Sequence, residues 1–175
     1  MHFVGKNKRF IPVMPLCFAL VLVSCQTVQM TRLSLDEQGT ILSAAERTFI
    51  LMNEKRYGNV WESISEKSKD AIVRDVLKAC KAFHVTCDGK KLQEDFATGG
   101  PDATAYWHNY LETFEPDSIL IESIWKMGKA GAEEADILLR HKDSSRDVVL
   151  KVVKENGAWR TGLEESFGVR KWMRW

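Results

Sequence analysis

The sequence lacks an excess of charge of either sign, because 25 Lys and Arg residues stand against 24 Asp and Glu residues in a chain of 175. Nucleic-acid-binding domains usually carry a clearly basic surface, so we expect no nucleic-acid partner. The chain also has few prolines and few cysteines, four of each, and no repeat or low-complexity tract. Its 45% hydrophobic and 28% charged residues are typical of one globular domain with a single core.

A long apolar run is also missing. The N-terminal run covers residues 11–23 and contains two prolines, whereas a membrane-spanning helix needs about 20 apolar residues. No acidic residue occurs in residues 1–24. Three basic residues precede the run: Lys6, Lys8 and Arg9. A basic flank followed by a short apolar run is typical of a secretory signal peptide.

The apolar run ends in Leu22-Val23-Ser24-Cys25, which resembles the bacterial lipobox. The resemblance implies that a diacylglyceryl group is attached to the Cys25 thiol and that signal cleavage follows Ser24. The new N-terminal Cys25 would then usually be acylated as well, and two or more acyl chains anchor a protein stably where one binds only marginally. The alternative is an ordinary cleaved signal peptide with a fortuitous cysteine.

The residue after Cys25 is Gln26. In enteric bacteria an Asp at that position resembles a retention signal for the inner membrane, so Gln26 favours the outer membrane, with the domain facing the periplasm. Residues 25–34 are expected to form a lipidated tether. Without residues 1–24, the chain keeps 22 basic and 24 acidic residues, a net charge of −2.

The first half of the remaining chain predicts helices. Ser34 and Glu37 form a capping box, and an apolar stripe at helical spacing follows to near Arg56. A second helical stretch is expected from Asn59, with Ser68 as the cap of its continuation. Another helix is predicted from residue 101 to residue 116, between two prolines.

The second half predicts four antiparallel strands, over residues 119–127, 135–140, 147–154 and 158–163. Asn156-Gly157 between the last two is a strong hairpin signal. Helices followed by a meander indicate an α+β fold in which N-terminal helices pack on a sheet of four strands or more. We expect the domain to cover residues 35–167, followed by a basic and aromatic tail over 168–175.

This order of elements resembles the nuclear transport factor 2-like, or cystatin-like, superfamily. The final hairpin, residues 148–160 (VVLKVVKENGAWR), is similar to the ending of many small bacterial lipoproteins of this superfamily. The resemblance implies a cone-like domain with the helices in the concave face of a curved sheet. An early β-hairpin found in many members has no clear counterpart between Lys91 and Pro101. Enzymes of the superfamily use an Asp, His or Tyr inside the cone.

Cys80 and Cys87 are separated by seven positions. Export exposes thiols to an oxidising compartment, which favours a structural disulfide. An unbroken helix would hold the two Cα atoms about 10 Å apart, so a disulfide requires the helix to end near Phe83. Two buried free thiols are the alternative. We expect no metal there, because His84 has no set of partners at zinc spacing.

No catalytic residue and no cofactor is predicted. His108 is expected on the solvated face of its helix, and neither His84 nor His141 is placed like a general base. Glu122 and Asp136 alternate with apolar residues of predicted strands, so both are expected to face solvent. A local bulge would instead turn Glu122 into the cone.

Aromatic residues are the strongest candidate for a ligand site. Tyr106, Tyr110 and Trp125 are proposed to line a pocket in the cone, although such a stripe more often forms core. In the C-terminal tail, three cations and two tryptophans predict either a segment that folds back on the domain or one that rests on anionic headgroups.

The sequence therefore predicts a lipid-anchored cell-envelope protein. Its domain is expected to bind a small apolar ligand or an envelope protein without catalysis. The alternatives are a lyase- or isomerase-like enzyme that uses the cone, and a structural or assembly lipoprotein.

Overall fold

The computed structural model describes residues 33–168. The predicted signal peptide, the predicted cleavage and lipidation at Ser24–Cys25, and residues 169–175 of the predicted tail lie outside this range. Within it, the chain forms seven helices and four strands. The helices are α1 (Leu35–Asn53), α2 (Tyr57–Ser63), α3 (Glu66–Ala82), α4 (Gly89–Thr98), α5 (Pro101–Leu111), α6 (Pro116–Glu122) and α7 (Leu163–Phe167). The strands are β1 (Ser123–Ala130), β2 (Glu134–His141), β3 (Val148–Glu155) and β4 (Ala158–Gly162).

The four strands form one antiparallel sheet in the order β1-β2-β3-β4. The prediction of an α+β fold with N-terminal helices packed on a four-stranded antiparallel sheet is therefore confirmed. Asn156 and Gly157 both have positive φ angles, 51° and 78°, at the β3–β4 turn. Two consecutive residues of positive φ are what a tight two-residue hairpin requires, and Asn-Gly supplies them at low cost.

The core lies between the helices and one face of the sheet. Ile137, Leu150 and Val152 on that face are completely buried, because strand residues two apart point to the same side. α1 crosses this face and contacts both edge strands. Its Thr48 hydroxyl lies 2.8 Å from the hydroxyl of Thr161 on β4, and the Phe49 ring contacts a tryptophan of β1.

Short polar residues begin three of the helices. Ser34 accepts a hydrogen bond from the Glu37 amide at 3.1 Å, as the capping-box prediction requires. The cap predicted at Ser68 is wrong, since Ser65 caps α3 by accepting from the Ser68 amide. Ser68 is instead buried in the first turn of α3, where its own hydroxyl donates a hydrogen bond to the Glu165 carboxylate near the C-terminal end of the domain. Asp88 caps α4 in the same way.

The boundary between helices and sheet differs from the prediction. Pro116 was expected to end a helix, but it begins α6, since the fixed φ of proline suits the first turn of a helix. Ile119 and Ile121 are consequently helical, and the first strand begins only at Ser123. Alternation over so few residues does not distinguish a short helix from a strand. The turn expected from Gly128 is also shifted, because β1 continues past a bulge to Ala130.

Besides α6, two further helices were not predicted. α4 lies between Cys87 and Pro101. For this segment the sequence predicted neither a helix nor the early β-hairpin of the superfamily that the chain resembles. α7 follows β4 directly and shortens the last strand to Gly162. Five residues carry no helical period that a sequence pattern could reveal, so α7 depends on the surfaces that it packs against.

Gly58 packs against the end of α4 and provides a test of this packing. A Cβ atom there would lie 2.9 Å from the Ala97 carbonyl oxygen. Because backbone atoms cannot move aside, we expect Gly58→Ala to lower the free energy of unfolding by about 1–3 kcal/mol in urea denaturation. Gly39→Ala is the matched control, since nothing lies within 4 Å of a Cβ there. It should raise stability by about 0.5–1 kcal/mol. Equal effects of the two substitutions would contradict this packing.

Candidate functional site

Cys80 and Cys87 form a disulfide in which the Cα atoms are 6.1 Å apart. α3 ends at Ala82, and His84 takes a positive φ of 57° that turns the chain back. This early end is what brings the two cysteines together, since seven helical residues would separate them by about 10 Å. The bridge closes a short loop, here called the disulfide loop (residues 80–87), whose Phe83 and Val85 side chains are exposed.

The proposed pocket residues belong to a continuous row of packed rings. Tyr106 and Tyr110 lie on α5 with ring centroids 6.5 Å apart. The next ring is Phe114, 5.1 Å from Tyr110, followed by Phe49 at 5.8 Å from Phe114. Trp125 comes last, 5.7 Å from Phe49. Two aromatic rings therefore occupy the space between Tyr110 and Trp125, so these residues contribute to the core rather than line one shared pocket.

Tyr106 is distinguished by its hydroxyl group. The Oη atom is buried and has no hydrogen-bond partner among residues 33–168, and the same holds for the Nε1 atom of Trp107. Burial raises the pKa of Tyr106 well above its usual value, and Tyr110, Asp75 and Glu164 raise it further. Buried polar groups are nearly always paired, so an unpaired one marks a position where a partner would be favourable.

The Tyr106 side chain also lines a groove of about 180 Å³ between α3 and α5. Its other lining residues are Asp75, Val76, Ala79, Asp102, Ala105 and Asn109. The groove therefore has apolar walls and two carboxylates. A predicted pocket residue, Tyr106, therefore meets a concave surface here.

A cluster of charged side chains joins α6 to the end of β2. The Glu122 carboxylate accepts hydrogen bonds from Lys142 Nζ at 2.7 Å and from Ser118 Oγ at 3.3 Å, and it lies 3.0 Å from His141 Nε2. Hydrogen bonds from Lys142 and His141 lower the pKa of Glu122 to about 2. The expected strand position of Glu122 is wrong, because it is the last residue of α6. It binds neighbours at the surface.

The remaining predicted titratable residues also lie at the surface. His108 is exposed beside Glu112, with 3.7 Å between the imidazole and the carboxylate. Asp136 faces away from the buried Ile137 and forms an ion pair with Lys151 at 2.6 Å. Hydrogen bonding to Asp136 raises the pKa of Lys151. His108 and Asp136 therefore each lie beside a charged neighbour on the surface of the domain.

A buried polar junction was missed in the sequence. The Glu165 carboxylate accepts hydrogen bonds from Ser65 Oγ at 3.0 Å and from Ser68 Oγ at 3.1 Å. The Ser68 hydroxyl in turn accepts from the Glu164 amide. The junction ties the start of α3 to α7. Three positions separate the two serines, but nothing in the sequence indicates a partner about a hundred residues later.

Residues 33–168 contain no group of three or more His, Cys, Asp or Glu side chains arranged to hold a metal ion. Over the same range, every helix is too short or too polar to cross a lipid bilayer.

These features define an α+β domain with a packed aromatic core, a disulfide loop and a groove between α3 and α5. The chain matches no protein-family model, no curated protein and no solved structure.

The Glu122 cluster predicts a defined pH dependence of stability. Because the folded pKa of about 2 lies below the ordinary value of 4.5, ionised Glu122 stabilises the fold above pH 4.5. This contribution should be lost as the pH falls from 4.5 towards 2. We therefore expect Glu122→Gln to be less stable than the native chain at neutral pH, with the difference shrinking over that window in urea denaturation. Glu46→Gln, at an exposed position, is the control for the removal of one negative charge.

The Tyr106 hydroxyl predicts an unusual response to its removal. Tyr106→Phe deletes a buried hydroxyl that has no partner in residues 33–168, so thermal unfolding should show unchanged stability or a gain of up to about 1 kcal/mol. Thr48→Val is the matched comparison, since it deletes a buried hydroxyl that is bonded to Thr161. That change should cost about 1–3 kcal/mol. A comparable loss in Tyr106→Phe would contradict the absence of a partner.

Proposed function

We propose that this chain is a lipid-anchored bacterial cell-envelope protein whose α+β domain acts by binding rather than by catalysis. The observation that carries the proposal is Leu22-Val23-Ser24-Cys25, placed directly after a basic flank and a short apolar run. Acyl chains on Cys25 would hold the domain at the membrane surface. Gln26 favours the outer membrane, with the domain in the periplasm.

The disulfide between Cys80 and Cys87 supports the exported location. Disulfides persist in oxidising compartments such as the periplasm and are rare in the cytosol. This observation is independent of the lipobox, since it concerns residues more than fifty positions further along the chain.

The tether also fits an anchored domain. Nine peptide units separate Cys25 from Ser34, the cap of α1, and a fully extended chain of that length spans at most about 30 Å. The folded part would therefore remain within one domain diameter of the bilayer.

Binding is favoured over catalysis by the environment of the candidate residues. The rings between Tyr110 and Trp125 are packed against one another, which leaves contact at the surface as the mode of action. The resemblance to enzymes of the nuclear transport factor 2-like superfamily calls for an acid or base inside the cone. Glu122 and Asp136 instead form ion pairs at the surface.

A small apolar ligand is the second candidate, and the α3–α5 groove favours it. The groove combines apolar walls with the aromatic residue Tyr106, so a small apolar ligand would fit its chemistry. An envelope protein partner is favoured for the domain as a whole, because a groove of about 180 Å³ is smaller than most ligand pockets.

Mass spectrometry of the protein extracted from bacterial membranes tests the anchor. We expect a chain that begins at Cys25, carries a diacylglyceryl group and an amide-linked acyl chain, and lacks two hydrogens because of the disulfide. Cys25→Ser should be recovered without lipid. Gln26→Asp should move the protein from the outer to the inner membrane of an enteric host. An unlipidated native chain that retains residues 1–24 would refute the proposal.

A further inference from the structure

One face of α3 carries a line of exposed cations. The line consists of four exposed residues: Lys67, Arg74, Lys78 and Lys81. The last three follow Lys67 by seven, eleven and fourteen positions, and this spacing places all four on one side of the helix. The line extends for about 21 Å at the helical rise per residue. Asp70 is the acidic residue on this side of the helix.

The start of α4 extends this basic surface. A Cβ at Gly89 would lie 3.5 Å from the side chain of Leu77 on α3, so the first turn of α4 lies directly against that helix. Lys90 and Lys91 follow Gly89 and are both exposed. We call the combined surface the basic face; it consists of Lys67, Arg74, Lys78, Lys81, Lys90 and Lys91.

Most cations of the basic face have no carboxylate partner within residues 33–168, whereas several cations elsewhere in that range do. Arg140, Lys142 and Lys151 each lie within 3 Å of a carboxylate oxygen. By contrast, no carboxylate of residues 33–168 lies within 4.0 Å of the charged groups on the α3 line, which are those of Lys67, Arg74, Lys78 and Lys81. Lys90 makes only an exposed contact with Glu94 at 4.0 Å, and such contacts contribute little.

Apolar groups lie within and beside the basic face. Val73 and Leu77 line a shallow groove of about 480 Å³ between the cations. At its end, the disulfide loop presents Phe83, which is 72% exposed, and Val85, which is 58% exposed. The disulfide closes this short loop, which also contains Lys81, so the two exposed apolar side chains and this cation belong to the same segment of residues 80–87.

The basic face also lies within reach of the proposed anchor. The Glu66 amide, at the start of α3, donates to the Glu155 carboxylate at 3.1 Å, and Lys154 Nζ lies 3.4 Å from Glu37 near the start of α1. Both helices therefore start near the same end of β3. The tether from Cys25 to the start of α1 spans at most about 30 Å. Because α3 starts near α1 and is about 25 Å long, its whole length lies within reach of the anchored membrane.

We propose that the basic face is a second membrane contact, which binds the anionic headgroups of the phospholipids beside the acyl anchor while Phe83 and Val85 enter the interface. This inference rests on the proposed function, because the anchor supplies the nearby bilayer. Four cations against one carboxylate, Asp70, spread over about 21 Å of α3 match a planar anionic surface. The exposed apolar pair adds the burial that favours a lipid surface over a purely acidic protein.

Hydrogen–deuterium exchange of the lipidated protein in vesicles tests this inference. We expect slower exchange of the backbone over residues 82–91 in vesicles of phosphatidylcholine with phosphatidylglycerol than in vesicles of phosphatidylcholine alone. The difference should disappear at high salt. Each basic residue near an anionic surface favours contact about fivefold. The triple substitution Lys78→Glu, Lys81→Glu and Lys90→Glu should therefore abolish the protection.

The triple substitution Lys126→Glu, Lys129→Glu and Arg146→Glu is the matched control, since it makes the same charge change on β1 and in the β2–β3 turn. It should leave the protection intact. Equal exchange in both vesicle types, or equal effects of the two triple variants, would overturn the inference. Protection by added polyglutamate but not by anionic vesicles would assign the basic face to an acidic protein and also overturn it.

The intact mass of the same sample separates the two proposals. A lipidated chain without protection on anionic vesicles would leave the proposed function standing and refute the second contact. A chain without lipid would refute the proposed function, and the inference would fail with it.

Discussion

The structure depends on the packing of Phe49, which is completely buried in the middle of α1. Its ring contacts Phe114, which follows α5, and Trp125 on β1, so one side chain joins the helical layer to the edge of the sheet. The preceding residue of α1, Thr48, forms a hydrogen bond through its hydroxyl with the hydroxyl of Thr161 on β4. Helices and sheet thus share a single core, and each layer buries the apolar face of the other.

This shared core occupies the interior of the domain with packed side chains. The aromatic residues that a cone-shaped binding site would use pack against one another. The Glu122 carboxylate, whose pKa is lowered, forms hydrogen bonds with Lys142 and His141. What remains distinctive is outside the core: the disulfide loop, the groove beside Tyr106 and the basic face. All three involve α3 or the chain that directly follows it.

Local signals in the sequence predicted much of the fold. The capping box at Ser34, the proline at the start of α5 and the Asn156-Gly157 turn each act through neighbouring residues, and each lies where it was expected. The predictions failed where a short segment takes its conformation from distant contacts. Ile119 alternates like a strand residue but lies in α6, and α7 follows β4 without any pattern of its own.

The sequence by itself determined the α+β class, because periodicity and capping are local properties. The resemblance of its N-terminal segment to a lipobox signal and the spacing of Cys80 and Cys87 are also local features of the sequence. Only the tertiary structure decided that Glu165 meets Ser65 and Ser68, that the Tyr106 hydroxyl has no partner in residues 33–168, and that α4 places its lysines beside α3. These relations join residues far apart in the chain. They depend on how the helices pack, which no local pattern encodes.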